Sequence, residues 1–133
     1  MGATGIALLG FAAWSLLLVL MLATFRSGKV FSGEREANTF SASGDDVQGF
    51  GQRLTRAHAN TYEFLPVAGA VMLVALATGN GVITDGLAYY FLAARIAQSV
   101  VHLISTAPPM VTVRFVFFLI QVAILAYWIV RLI

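Results

Sequence analysis

Cysteine is absent from all 133 residues. Disulfides, thiolate metal ligands and a cysteine nucleophile are therefore excluded together, and the redox compartment leaves no mark on the chain. Histidine is scarce as well: the two present, His58 and His102, cannot build a zinc site without carboxylate help, and no metal is expected. The third shortage is charge. Only 11% of residues are charged against 59% hydrophobic, too little polar surface to cover a water-soluble globule of this size, so the lipid bilayer is the chain's solvent. Eight basic residues against six acidic give a net charge of +2. The basic residues form no run, and no nucleic-acid partner is expected.

The length allows a single domain, 1–133. Four apolar spans of about 20 residues use most of it, since a helix rises about 1.5 Å per residue across about 30 Å of hydrocarbon. The predicted fold class is an all-α membrane protein, a four-transmembrane-helix bundle with spans near 5–25, 53–78, 86–105 and 110–132. The first apolar run lacks a basic leading segment and is too long for the apolar region of a signal peptide, so it reads as a retained span. Between about 26 and 52 lies the one polar stretch, carrying Lys29, Glu34, Arg35, Glu36, Asp45 and Asp46, which reads as an extramembrane loop. Gly79-Asn80-Gly81 signals a turn, Asp85 is expected to cap the third span, and Pro108-Pro109 to open the fourth. Pro66 is expected to kink the second. These tight connections imply antiparallel neighbours.

Basic residues set the expected orientation. Arg26, Lys29, Arg35, Arg53 and Arg56 crowd the first loop and its edge, whereas the second loop carries only Asp85. The first loop is therefore predicted to be cytoplasmic and both termini opposite, with Arg131 a weak counter-signal.

The informative residues lie inside the spans. At about 100° per residue, Arg53, Arg56, Asn60 and Glu63 fall within about 80° of arc on the second helix, while His58 and Tyr62 point roughly the other way. Each charge held at the centre of a membrane helix costs about 2.5 to 3.5 kcal/mol on insertion scales, so this stripe must face the bundle interior or a wet cavity. Arg95 stands near mid-membrane on the third helix with Gln98, Ser99 and His102 on its side, and Arg114 lies in the first turns of the fourth. Four arginines and one glutamate thus converge towards one end. The plainer readings are snorkelling to the interface for Arg53, Arg56 and Arg114 and a structural Glu63–Arg95 ion pair. Asn60 reads plainly as interhelical glue, and each histidine as an ordinary core or interface residue. If the cluster is a site, its surplus positive charge calls for an anionic ligand, with Glu63 available for an ammonium group. A zwitterionic peptide with more than one carboxylate fits.

The run Arg53-Leu54-Thr55-Arg56-Ala57-His58-Ala59-Asn60-Thr61-Tyr62-Glu63 resembles the signature R-x-x-R-A-x-x-N-x-x-E of the MAPEG family, membrane-associated proteins in eicosanoid and glutathione metabolism. The resemblance extends through the polar loop, Ala94-Arg95 and Arg114. It implies a homotrimer of four-helix protomers with glutathione, as cosubstrate, bound between subunits near the cytoplasmic side. It further implies that Arg56, Asn60, Glu63 and Arg95 bind glutathione or order its pocket and that Arg53 is a basic position just outside. Arg114 matches the arginine proposed to stabilise the glutathione thiolate. His102 stands where many members carry tyrosine, and Gln98 where histidine is common. The function so implied is a glutathione-dependent transferase or peroxidase acting in detoxification on a hydrophobic electrophile or lipid delivered from the bilayer. The competing reading is a non-catalytic member of the same fold that binds a lipid or peptide. A small drug exporter is disfavoured because the first span carries no glutamate.

Overall fold

The computed structural model describes residues 1–37, 39–44 and 49–133. Asp45 and Asp46, counted above among the charges of the polar loop, lie outside the described residues. The chain forms α1 (Ala3–Phe31), α2 (Phe50–Ala77), α3 (Gly81–Ile104) and α4 (Pro108–Leu132). All four are long and apolar enough to cross a bilayer. Only helices or closed barrels can do so, because hydrocarbon offers no partner to a free backbone N–H or C=O.

Helix ends follow local chemistry. α1 continues to Phe31, beyond the basic cluster at Arg26 and Lys29, and stops where Gly33 takes φ 79°. There the amides of Gly33 and Glu34 bond back to the carbonyls of Val30 and Lys29. The same device ends α2: Gly79 takes φ 74°, and the amides of Gly79 and Asn80 return to Leu76 and Ala75. This is the Schellman pattern, in which a left-handed residue lets two otherwise orphaned carbonyls be satisfied. α3 then begins directly at Gly81, so Asp85 lies inside the helix instead of capping it. Its carboxylate serves another helix: Oδ1 accepts from the Thr4 amide at 2.8 Å and from the Thr4 hydroxyl at 2.6 Å. The expected cap is therefore a cap of α1, supplied across the bundle, and it fits because the first amides of any helix lack internal partners. Pro108 and Pro109 occupy the first positions of α4, where a missing N–H removes nothing. α2 runs continuously through Pro66, whose missing N–H leaves the Tyr62 carbonyl without its helical donor.

α2 and α3 form the middle of the bundle, with α1 packed on both and α4 chiefly on α3. The core has two parts. The larger gathers Phe11, Met72, Phe91 and Trp128, with Phe91 stacked 6.0 Å from Phe11 and tilted against Trp128 at 5.5 Å. The smaller joins Leu18, Leu22 and Leu54 nearer the first loop. Small residues let the helices close in: a side chain at Gly51 would strike the Phe25 ring. The outer surface is apolar, for example at Leu16, Leu73, Phe115 and Val130, as a lipid-facing surface must be.

Candidate functional site

One end of the bundle opens into a pocket of about 690 Å³ between α2, the end of α3 and the start of α4, with Ala42 and Ser43 of the first loop at its rim. α2 supplies the main wall: Arg53, Arg56, Asn60 and Glu63 repeat at three- and four-residue intervals, so one helix face delivers all four. His102 enters from the last turn of α3 and Arg114 from α4. Tyr62, expected to point away from this stripe, also lines the pocket, its ring tilted against that of His58 at 5.1 Å.

Among the described residues, three guanidiniums, from Arg53, Arg56 and Arg114, share the pocket with one carboxylate, Glu63. Arg53 has a structural bond as well: its Nε donates to the Leu103 carbonyl at 2.8 Å, tying the start of α2 to the unsatisfied end of α3. Arg56 and Glu63 make no hydrogen bond or ion pair among the described residues. Arg114 Nε is buried with no partner among the described residues. A buried donor left unmade costs about 1 to 3 kcal/mol, so this donor is available to an incoming anion.

Glu63 does not pair with Arg95; it is exposed at the pocket's open flank. Arg95 is the deep group, 1% exposed, and stands one side chain behind the pocket wall. Its Nη1 donates to Asn60 Oδ1 at 2.8 Å and its Nε to Gln121 Oε1 at 2.8 Å. The guanidinium lies over the Phe64 ring at 4.6 Å and faces Phe11 at 5.7 Å. Two amide oxygens and two aromatic faces thus take the place of a counter-ion, each offering the negative end of a dipole or quadrupole to the cation. Gln98, Ser99 and His102 are buried on the same helix; Ser99 meets Thr61 of α2 at 3.2 Å, and Gln98 accepts from Gln121 at 2.8 Å.

Gln121 was not singled out from the sequence. It is fully buried at the centre of this network, and its signal was present: a lone amide in an apolar span, seven residues after Arg114 and so on the same face two turns along. Among the described residues, no group of three histidine, aspartate or glutamate side chains could hold a metal ion.

A protein-family model, described as MAPEG family, matches residues 4–133, essentially the whole chain. No curated protein and no solved structure matches the chain.

Proposed function

The chain belongs to the MAPEG family, and from that membership we propose that it is a glutathione-dependent membrane transferase or peroxidase. With four helices able to span a bilayer it is an integral multi-pass protein of a superfamily of glutathione and eicosanoid metabolism. The observation that carries the finer reading is the charge of the pocket: among the described residues three arginines stand against one glutamate, with a buried Arg114 donor that none of them satisfies. Glutathione offers the complement, two carboxylates, one ammonium and a thiol. In this reading Arg56, Arg53 and Asn60 hold carboxylates, Glu63 holds the ammonium, and His102 borders the ligand.

Arg114 takes the catalytic role. A free thiol has a pKa of about 8.5, and a guanidinium beside it in a poorly hydrated pocket favours the thiolate, which is the nucleophile. The thiolate attacks an electrophilic carbon of an apolar substrate arriving from the bilayer. A carbon–sulfur bond forms, the leaving group departs with the bonding pair, and the thiol proton passes to solvent. With a hydroperoxide, the thiolate attacks oxygen and releases an alcohol, and a second glutathione converts the sulfenic acid to disulfide and water. Proximity and charge are all the protein must supply.

The exposed flank formed by Arg56, Asn60 and Glu63 supports assembly as a homotrimer. Charges at membrane depth cannot face lipid, and a neighbouring subunit would cover them. The surplus of basic residues at this end supports a cytoplasmic placement of the first loop.

The test is glutathione retention and turnover by the detergent-purified protein, with a halonitrobenzene and a lipid hydroperoxide as electrophiles. Turnover lost in Arg114→Ala with glutathione still bound is the expected result. Retention without turnover by the unaltered protein would select a non-catalytic lipid- or peptide-binding role, and no retention at millimolar concentrations would contradict the reading.

A further inference from the structure

The buried network behind the pocket runs in one chemical direction. The Phe117 carbonyl can only accept, so the Gln121 amide that bonds it at 2.9 Å must present Nε2 there, and the same nitrogen donates to Gln98 Oε1 at 2.8 Å. Gln121 is left with Oε1 on its other side, where Arg95 Nε donates at 2.8 Å. A guanidinium carries donors and no acceptor. Its Nη1 therefore requires an oxygen from Asn60, and the Oδ1 contact at 2.8 Å supplies it. Asn60 lines the pocket. With its oxygen held behind the wall, its amino group is left for whatever binds in front.

We propose that Gln121 is a positioning residue. It anchors the Arg95 guanidinium, which in turn fixes the Asn60 carboxamide so that Asn60 offers the pocket a donor only, and thereby favours a carboxylate of the bound peptide over its uncharged analogue. The proposal rests on the glutathione reading of the pocket and adds a specificity element on a helix, α4, that reaches Asn60 only through Arg95. Without the Gln121 oxygen, Arg95 Nε joins Nη2, which has no partner among the described residues, and the guanidinium is anchored by a single hydrogen bond and by the Phe64 and Phe11 rings. The guanidinium that holds the Asn60 oxygen is then free to shift, and the Asn60 amino group loses the fixed position from which it faces the pocket. Arg95 also places a buried positive charge directly behind the Asn60 dipole, which strengthens the outward donor.

The experiment compares three ligands by calorimetry: glutathione, its glycine ethyl ester, and the analogue in which the α-carboxylate of the glutamyl residue is a carboxamide. Each is titrated into the full-length protein, Gln121→Leu, Gln121→Glu and Asn60→Leu, with thermal unfolding recorded in the same detergent. The unaltered protein prefers the acid over both neutral analogues. For the carboxylate that meets Asn60, this preference falls up to about tenfold in Gln121→Leu and Asn60→Leu, because the acid loses a charge-assisted hydrogen bond while the carbonyl oxygen of the neutral analogue loses only a weaker neutral one. Gln121→Glu keeps an oxygen for Arg95 and retains the preference. A side chain that only filled space would weaken acid and neutral ligands alike. Asn60→Leu lies on the pocket wall and tests the claim even where Gln121→Leu fails to fold. Preference unchanged in either leucine variant overturns the proposal alone; no glutathione binding by the unaltered protein overturns the pocket reading as well.

Discussion

The two ends of the bundle each carry an acidic residue on a membrane-spanning helix, and they treat it in opposite ways. At the end holding the N-terminus, Asp85 accepts from the Thr4 amide and hydroxyl, and Thr4 meets the Thr84 hydroxyl at 2.6 Å, so an acid and two threonines are consumed in closing α1 onto α3. At the other end Glu63 has no partner among the described residues, Arg56 has none, and Arg114 keeps a buried donor unmade. Folding alone tends to satisfy buried polar groups, because each one left unmade costs about 1 to 3 kcal/mol. The bonds around Asp85 are therefore architecture, although Trp128 Nε1 at that end is also buried without a partner among the described residues; at the other end the proposed ligand would complete the bonding of Arg114.

That contrast can be broken by substitutions which should move binding at one end and stability at the other. The largest effect belongs to Arg114→Ala: turnover of a halonitrobenzene should fall by about two to three orders of magnitude, as when one donor to a developing anion is removed, with the unfolding temperature little changed. Next come Arg56→Ala and Glu63→Gln. Each should weaken glutathione roughly 30- to 150-fold, the equivalent of about 2 to 3 kcal/mol for a hydrogen bond to a charged group, and calorimetry should find the bundle still folded. Asp85→Ala should do the reverse. Loss of the cap to Thr4 should lower unfolding stability by about 1 to 2 kcal/mol in a denaturation series, with glutathione affinity preserved. A binding defect in Asp85→Ala, or a large stability loss in Glu63→Gln, would erase the distinction between the ends. The smallest effect is expected of Lys29→Ala, which breaks a 2.7 Å pair with Glu34 that is open to solvent; at most about 0.5 kcal/mol should be lost, and less in high salt.

The four helices and the polar stripe were legible in the sequence for physical reasons. Membrane spans announce themselves because hydrocarbon tolerates so few alternatives, and Arg53, Arg56, Asn60 and Glu63 share a face at any plausible helix register. What escaped was set by partners distant in sequence. Asp85 reads locally as a cap for the helix that follows it, and only the packing of α1 against α3 reveals that it caps Thr4, 81 residues away. Arg95 and Glu63 look like a pair by charge, yet Arg95 is deep and held by amides while Glu63 sits on the open flank. Gln121 was overlooked because one amide in an apolar span reads as interhelical glue, and its role follows from the donors and acceptors around it. The end of α1 depended on Gly33 taking a left-handed turn, a choice that hydropathy does not register.

The proposed binding of glutathione at the pocket end, with its thiolate favoured, is open to direct measurement. It is tested most directly by titrating glutathione into the purified protein near neutral pH in two buffers of different protonation enthalpy, alongside Arg114→Ala. Close to one proton released per ligand bound by the unaltered protein, and much less by the variant that still binds, is the predicted result. Binding with no proton release in either protein, or equal release in both, would contradict it.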